Sequence, residues 1–386
     1  MKTQPLLRAT CAAVLLLATA SEALAADGFK LRFPLSGTLG GEIVAPMASE
    51  GWFGSVVVTD VNVSGVSGSD GNSLQLVKSG TFAPTAAELA PAVAAGKITA
   101  GAAALLSART ATYSGTVDPG IKMHQTVTNF LLGTILSKDV NGGKVVLAVN
   151  IPYAVTYDAT VKLNSSTPTL NPLVPASPSP ALTTAANTLF GVGYQSQLAA
   201  QSSAATVATS GLGDIEASLL WEKSTEALKV LVGATLAMPT GDYSYTAGSL
   251  KPNIGYGKYY TLRTGLGVAY TASETVTLGA RGSLGFNSQN TENYVRTGDF
   301  YAIDLAAVFR TPVGVVGPHV TLLRQYTDDT GGALGGNQVS VNGAGFFYAV
   351  PIPAWKGGLN VAYMKTLDTK NSLVGDFVQF RFSRLF

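Results

Sequence analysis

His124 and His319 are the only imidazoles in the 386-residue chain, and Cys11 is its one thiol. Nucleophilic hydrolysis needs a Ser, Thr or Cys within reach of an imidazole that a third group orients. His124 stands in Lys122-Met123-His124-Gln125 and His319 in Gly317-Pro318-His319, neither with a recognisable partner in sequence. Both read as rim or lumen side chains. Asp328-Asp329 has the chemistry to ligate Ca²⁺, but two adjacent carboxylates in a Gly-rich loop are more simply read as solvated. Gly265-Leu266-Gly267 and Gly331-Gly332 lack the strand–turn–helix setting of a nucleotide site. The chain therefore reads as a non-enzyme, with no metal site and no cofactor.

Charge narrows the classes further. Only 12% of residues are Asp, Glu, Lys or Arg, about half the usual globular share, and the net charge is +2. That balance excludes a nucleic-acid partner and a polybasic membrane anchor. Classical disorder is excluded too, because 46% of residues are hydrophobic. The charges that do occur are spaced with period two. Lys229 opposes Leu228, Val230 and Val232; Arg263 opposes Leu262, Leu266 and Val268. Arg281 opposes Val276, Leu278, Ala280, Leu284 and Phe286, while Asp304 and Arg310 oppose Tyr301, Ile303, Leu305 and Phe309. A soluble sandwich also alternates, but its outer face carries many Lys and Glu. Here the polar face is Gly, Ser, Thr and Asn with occasional charges. A barrel with lipid outside and a small polar lumen has this pattern. Glu216, Lys229, Arg263, Arg281, Asp304 and Arg310 are accordingly expected to line the lumen.

The elements that would carry these residues are about twelve strands. They are read at 55–63, 121–139, 144–163, 211–223, 227–238, 259–272, 275–287, 299–310, 316–326, 338–350, 358–367 and 376–386. Short connections (Asn141-Gly142-Gly143, Ser224-Thr225-Glu226, Ser273-Glu274, 311–315 and 351–357) alternate with longer ones, the longest being 64–120 and 164–210. Short periplasmic turns and long outer loops are the outer-membrane arrangement. The fold class is thus all-β, a transmembrane antiparallel up-and-down barrel with short helical or irregular plug or loop segments. Thr85-Ala86-Ala87-Glu88 is a capping box that starts one or two short helices before Ser107. The Pro-rich stretch 167–180 and the Ala/Ser/Thr-rich stretch 181–210 read as irregular.

Both chain ends carry targeting signals. Lys2 and Arg8, an apolar run from Ala9 to Ala20, and small residues at Ala23-Leu24-Ala25 form a signal peptide cleaved after about Ala25. It contains Cys11, so the exported chain has no cysteine, as an oxidising compartment favours. Residues 26–54 read as a periplasmic or plug segment and 55–386 as the barrel. In the terminal strand Val378, Phe380, Phe382 and Phe386 share one face. An alternating strand closed by an aromatic looks like the assembly signal of bacterial outer-membrane barrels, with Arg384 departing from it. The expected location is the Gram-negative outer membrane, and the expected partners are its lipids and the barrel assembly machinery.

Gly211-Leu212-Gly213-Asp214-Ile215, Met238-Pro239-Thr240-Gly241-Asp242-Tyr243 and Asn253-Ile254-Gly255 follow one another before a Tyr-rich strand. This succession resembles the outer-membrane family named for a meta-pathway of phenol degradation. The resemblance is firmest over 211–386. It implies a transporter-like barrel for uptake of aromatic or other small hydrophobic solutes. A general diffusion porin or structural barrel is the alternative, and an outer-membrane hydrolase a distant third. Twelve strands make a lumen narrower than that of the 16–18-stranded porins. Pro152 and Pro239 interrupt strong strands, and proline belongs at a strand end, an edge or a bulge. They mark either strand ends at the outer rim or a lateral opening with Tyr153 and Tyr243 at its margin.

Overall fold

Alternation dictates the architecture. Large apolar side chains such as Val56, Phe130, Leu147, Leu219, Leu266, Leu284, Ile303, Phe346 and Phe380 are exposed on one face. The opposite face buries Thr59, Arg263, Thr277, Asp304, Thr321 and Gln379. A sheet with this inside-out polarity is stable only when closed, because lipid cannot satisfy an open edge. The computed structural model describes residues 31–32, 50–245, 253–331 and 338–386. The proposed signal peptide, residues 1–25, lies outside the described residues.

Twelve antiparallel strands close the ring. In order around it they are β1 (Gly51–Val66), β3 (Ala111–Val140), β4 (Gly143–Asn164), β6 (Glu216–Ser224), β7 (Leu228–Ala237), β8 (Thr261–Thr271), β9 (Val276–Asn287), β10 (Phe300–Thr311), β11 (Gly314–Gln325), β12 (Ser340–Ile352), β13 (Gly357–Lys370) and β14 (Leu373–Leu385). Closure comes from β1, which pairs with β14 through Val58↔Phe380 and with β3 through Val58↔Thr128. β2 (Leu76–Phe82) pairs only with β3, and β5 (Val207–Leu212) only with β4. Neither belongs to the ring. The expected strand count and the expected fold class both hold.

The terminal strand packs as an outer-wall element. Phe380 is exposed on the outward face, and the Phe382 ring meets Trp355 edge-on at 5.9 Å. Phe386 donates its backbone N–H to Trp52 O at 2.8 Å, carrying the β14–β1 seam to the last residue.

β3 and β4 continue past the ring and carry an outer lobe. Beyond Met123, β3 no longer pairs with β1 and takes β2 instead. α1 (Ala86–Ala94), α2 (Ala100–Ser107) and α3 (Pro180–Ala205) pack there around Phe82, Leu106, Tyr113, Phe190, Tyr194 and Leu198. The Thr85 capping box forms, with Glu88 N–H donating to Thr85 Oγ1 at 3.3 Å and Thr85 N–H to Glu88 Oε2 at 2.7 Å. The Ala-rich segment therefore belongs to a lobe at the long-loop end.

The stretch 181–205 corrects the sequence reading, since it is one helix and not irregular chain. Ser179 caps it by accepting from Leu182 N–H, and Pro180 occupies its first turn. Leu182, Ala186, Phe190, Tyr194 and Leu198 form its buried stripe. That four-residue spacing outweighs the weak propensity of the Ser and Thr between them. No described helix is long and apolar enough to cross a membrane.

Candidate functional site

The three Gly-rich segments, scattered in sequence, converge at the long-loop rim. Asn150 of β4 pairs with Glu216 of β6, whereas Tyr153 pairs with Leu212 of β5. The neighbour of β4 thus changes at Pro152, and residues 213–215 leave the ladder. Pro152 O still accepts from Gly213 N–H at 2.8 Å. In an antiparallel strand the N–H and C=O of one residue point the same way, so the missing donor of Pro152 faces this break. Gly213 is dictated by the approach, because a Cβ there would lie 2.9 Å from Pro152 Cγ.

Asp214 is the hub of the departing segment. Its Oδ1 accepts from Gly241 N–H at 2.9 Å and its Oδ2 from Tyr256 N–H at 3.0 Å. Thr240 Oγ1 accepts from Ile215 N–H at 2.8 Å, and Asp242 Oδ2 accepts from Leu212 N–H at 3.0 Å. Gly241 and Gly255 are packed so closely that a Cβ on Gly241 would sit 2.8 Å from the Gly255 Cα. These contacts explain why acidic and small residues recur in the three segments: carboxylates collect the amides that the broken ladder leaves unpaired.

A fourth segment enters from the N-terminal side. Leu31 and Arg32 lie inside the barrel, 2% and 3% exposed, although Gly51 starts β1 at the short-turn end. Leu31 packs against Phe300, Ala302, Leu323, Val339 and Val341. Arg32 Nη2 lies 2.8 Å from Asp214 Oδ2, and Arg263 Nη1 donates to Arg32 O at 3.0 Å. Arg263 in turn meets Glu216 at 2.8 Å. The ion pairs Asp214–Arg32 and Arg263–Glu216 are thus joined through the Arg32 carbonyl at the mouth of the lumen.

The remaining expected lumen residues are distributed along the barrel. Arg281 and Asp304 form a cross-strand ion pair of 2.6 Å, and Lys229 meets Glu222 at 2.9 Å near the β6–β7 turn. Arg310 lies near the β10–β11 turn, opposite Val315, and is exposed. Pro239 lies past the end of β7, in the rim segment that reaches Asp214. Tyr153 is 41% exposed on the outward face. Tyr243 is separate from it in its contacts, its hydroxyl accepting from Asn290 Nδ2 at 3.3 Å.

The candidate groups for chemistry have other partners. His124 Nε2 lies 2.9 Å from Asp60 Oδ2, but the nearby Thr126 hydroxyl donates to that same carboxylate and not to the ring. His319 is buried with Nε2 at 3.1 Å from Tyr363 O. Asp328 and Asp329 turn to different partners. Asp328 accepts from Gln338 Nε2, while Asp329 accepts from Gly298 N–H and Gln325 Nε2. Burial pushes the Asp329 carboxyl above the usual carboxylate range.

Sequence reasoning placed none of Arg32, Asp214, Thr240 and Asp242 in a functional site. Asp214 and Asp242 were legible as parts of the recurring Gly-rich segments. Arg32 had no sequence signal, since its partners are 182 and 225 or more positions away.

The model of the family described as "Putative MetA-pathway of phenol degradation" matches residues 108–382, which include all three Gly-rich segments. The COG4313 outer membrane channel from Pseudomonas putida F1 superimposes with a TM-score of 0.58 at 13% identity, covering 90% of this chain and 98% of that one. The β domain of the Bordetella autotransporter BrkA gives 0.38 at 9% identity, covering 88% and 100%. A loop-deletion form of OmpT from Vibrio cholerae gives 0.35 at 9% identity, covering 88% and 100%. The first match shows the shared barrel fold. No curated protein matches the sequence of the chain.

Proposed function

The chain belongs to the phenol-degradation MetA-pathway family and folds as an outer-membrane barrel, and from these premises we propose that it takes up small hydrophobic solutes, aromatic ones included. The observation that carries this reading is the break in the wall at Pro152. There β4 exchanges β6 for β5, and the segment 213–215 that leaves the ladder turns Asp214 toward the lumen.

A solute entering from the long-loop side reaches this mouth first. Beyond it Leu31 fills an apolar socket inside the barrel, and two ion pairs bridge neighbouring strands. An apolar solute gains little by crossing those charges, whereas lipid lies just outside Tyr153. Leaving sideways past Pro152 keeps it in an apolar medium throughout.

A structural or general-diffusion barrel is favoured by one specific observation, the mutual pairing of the lumen charges. Single-channel conductance in planar bilayers, with and without toluene, separates the two. Toluene-dependent block or gating is expected of the solute channel. A steady open pore indifferent to toluene would identify a diffusion porin.

A further inference from the structure

The contacts of Arg32 are those of a ligand in a site. Its Nε and Nη2 reach Asp214 Oδ2 at 2.9 and 2.8 Å, and Nη2 donates to Gly257 O at 2.9 Å. Nη1 donates to Tyr259 O and lies 3.5 Å from Thr261 Oγ1. The guanidinium carbon stands 4.0 Å from the centre of the Tyr259 ring. A carboxylate, two carbonyls and an aromatic face thus converge on one flat cation, the arrangement that suits a guanidinium and wastes most of its advantage on an ammonium. Beside this cage lies the apolar socket that holds Leu31. Neither partner is needed to close the sheet, since Arg32 and Leu31 belong to no strand.

We propose that the Asp214 cage is a binding site for planar cations, the amidinium or guanidinium groups of small solutes with an apolar body, and that Arg32 is its resident occupant. The cation of the solute takes the place of the guanidinium, and its body takes the Leu31 socket. The inference goes beyond the uptake reading and needs no lateral exit. A tethered group competes at an effective concentration of roughly millimolar, so a free solute meets a strong internal competitor. Removing Arg32 exposes the site without touching the cage.

The experiment uses the full chain in detergent, with assembly checked by heat-modifiable migration. Benzamidinium is titrated calorimetrically into wild type and into Arg32→Ala, or Arg32→Met where the alanine variant does not assemble. Saturable one-site binding to the variant is expected, at least tenfold weaker in wild type and at least tenfold weaker for benzyl alcohol. Adding Tyr259→Leu should weaken it several-fold further. Absence of saturable binding to an assembled variant would overturn the proposal. So would equal binding to wild type, which places the site elsewhere, or equal binding of benzyl alcohol, which leaves only an apolar socket. Benzamidinium binding without any toluene effect on conductance would sink the uptake reading and leave this one standing.

Discussion

Arg281 and Asp304 are direct cross-strand partners on the lumen face of β9 and β10, with Arg281 Nη2 2.6 Å from Asp304 Oδ2. Their side chains are 18% and 4% exposed, so the pair has little water to screen it. Removing one partner of a buried pair leaves an uncompensated charge and costs about 3–5 kcal/mol, whereas replacing both with apolar groups costs far less. Asp304→Ala should therefore lower the urea midpoint of the barrel more than the double variant Arg281→Met/Asp304→Leu. Equal losses in the two would mean that lumen water solvates Arg281 freely.

Phe386 closes the seam between the two ends of the barrel. Its backbone N–H bonds to Trp52 O, and its ring lies against Gly54, where a Cβ would be 3.2 Å from Phe386 Cε2. Deleting Phe386 should cut the assembled, heat-modifiable fraction several-fold in cells. The purified variant should refold in detergent nearly as well as wild type, because only one ladder bond is lost. Unchanged assembly in cells would remove the terminal aromatic as the signal.

Most of the fold was legible because period two is a local signal. Every one of the twelve ring strands overlaps a run of alternating apolar residues, and the C-terminal Phe380 and Phe382 show it most plainly. α3 was also written in the sequence, as the spacing of Leu182, Ala186, Phe190, Tyr194 and Leu198, but its Ser and Thr content masked it. The site was less legible for a physical reason. Asp214 meets Gly241, Tyr256 and Arg32 across separations of 27, 42 and 182 positions, which no local periodicity links. Pro152 was visible in the sequence as an interruption of a strong strand, whereas the close approach of Gly213 to it was not.

The inward register is testable by chemistry. Single cysteines at Glu216, Lys229, Arg263, Arg281, Asp304 and Arg310 add to a mature chain expected to hold no other thiol. Charged, water-soluble thiol reagents should label them in intact vesicles, and lipid-partitioning maleimides should not. A Lys or Arg facing lipid at the midplane would cost about 2–4 kcal/mol, which is what forces the register. Preferential labelling by the lipid-soluble reagent would reverse it.

Asp329 provides a pH dependence of known sign. Its carboxyl is raised above the usual range mainly by burial, with the Asp328 charge adding to the shift and the Gly298 and Gln325 bonds opposing it. A group whose folded pKa is raised contributes stability that is full below its unfolded value, about 3.9, and is lost as pH rises through the folded value. Wild type should therefore gain more than Asp329→Asn when the urea midpoint is compared at pH 7 and pH 4. Parallel shifts in the two proteins would show that the loop carboxyl does not couple to folding.

The proposed lateral exit turns on Pro152 more than on Pro239. Pro239 follows the end of β7 at Ala237, where no ladder bond is due. Pro152 sits inside β4, paired with Asn129 on one side, with its missing donor directed at the departing segment on the other. Pro152→Val returns an N–H at the point where β4 changes neighbours. That donor favours drawing residues 213–215 back into register and so favours a continuous wall beside Tyr153. Pro239→Val lies beyond the ladder and should leave the wall as it is. Uptake of radiolabelled toluene by cells should fall several-fold for Pro152→Val and stay near wild type for Pro239→Val, with both barrels assembled. The Gly213 side must be checked as well, because Gly213→Ala would place a Cβ 2.9 Å from Pro152 Cγ and push the segment outward. Uptake should hold or rise in that variant. Wild-type uptake by an assembled Pro152→Val barrel would place the solute path through the lumen instead.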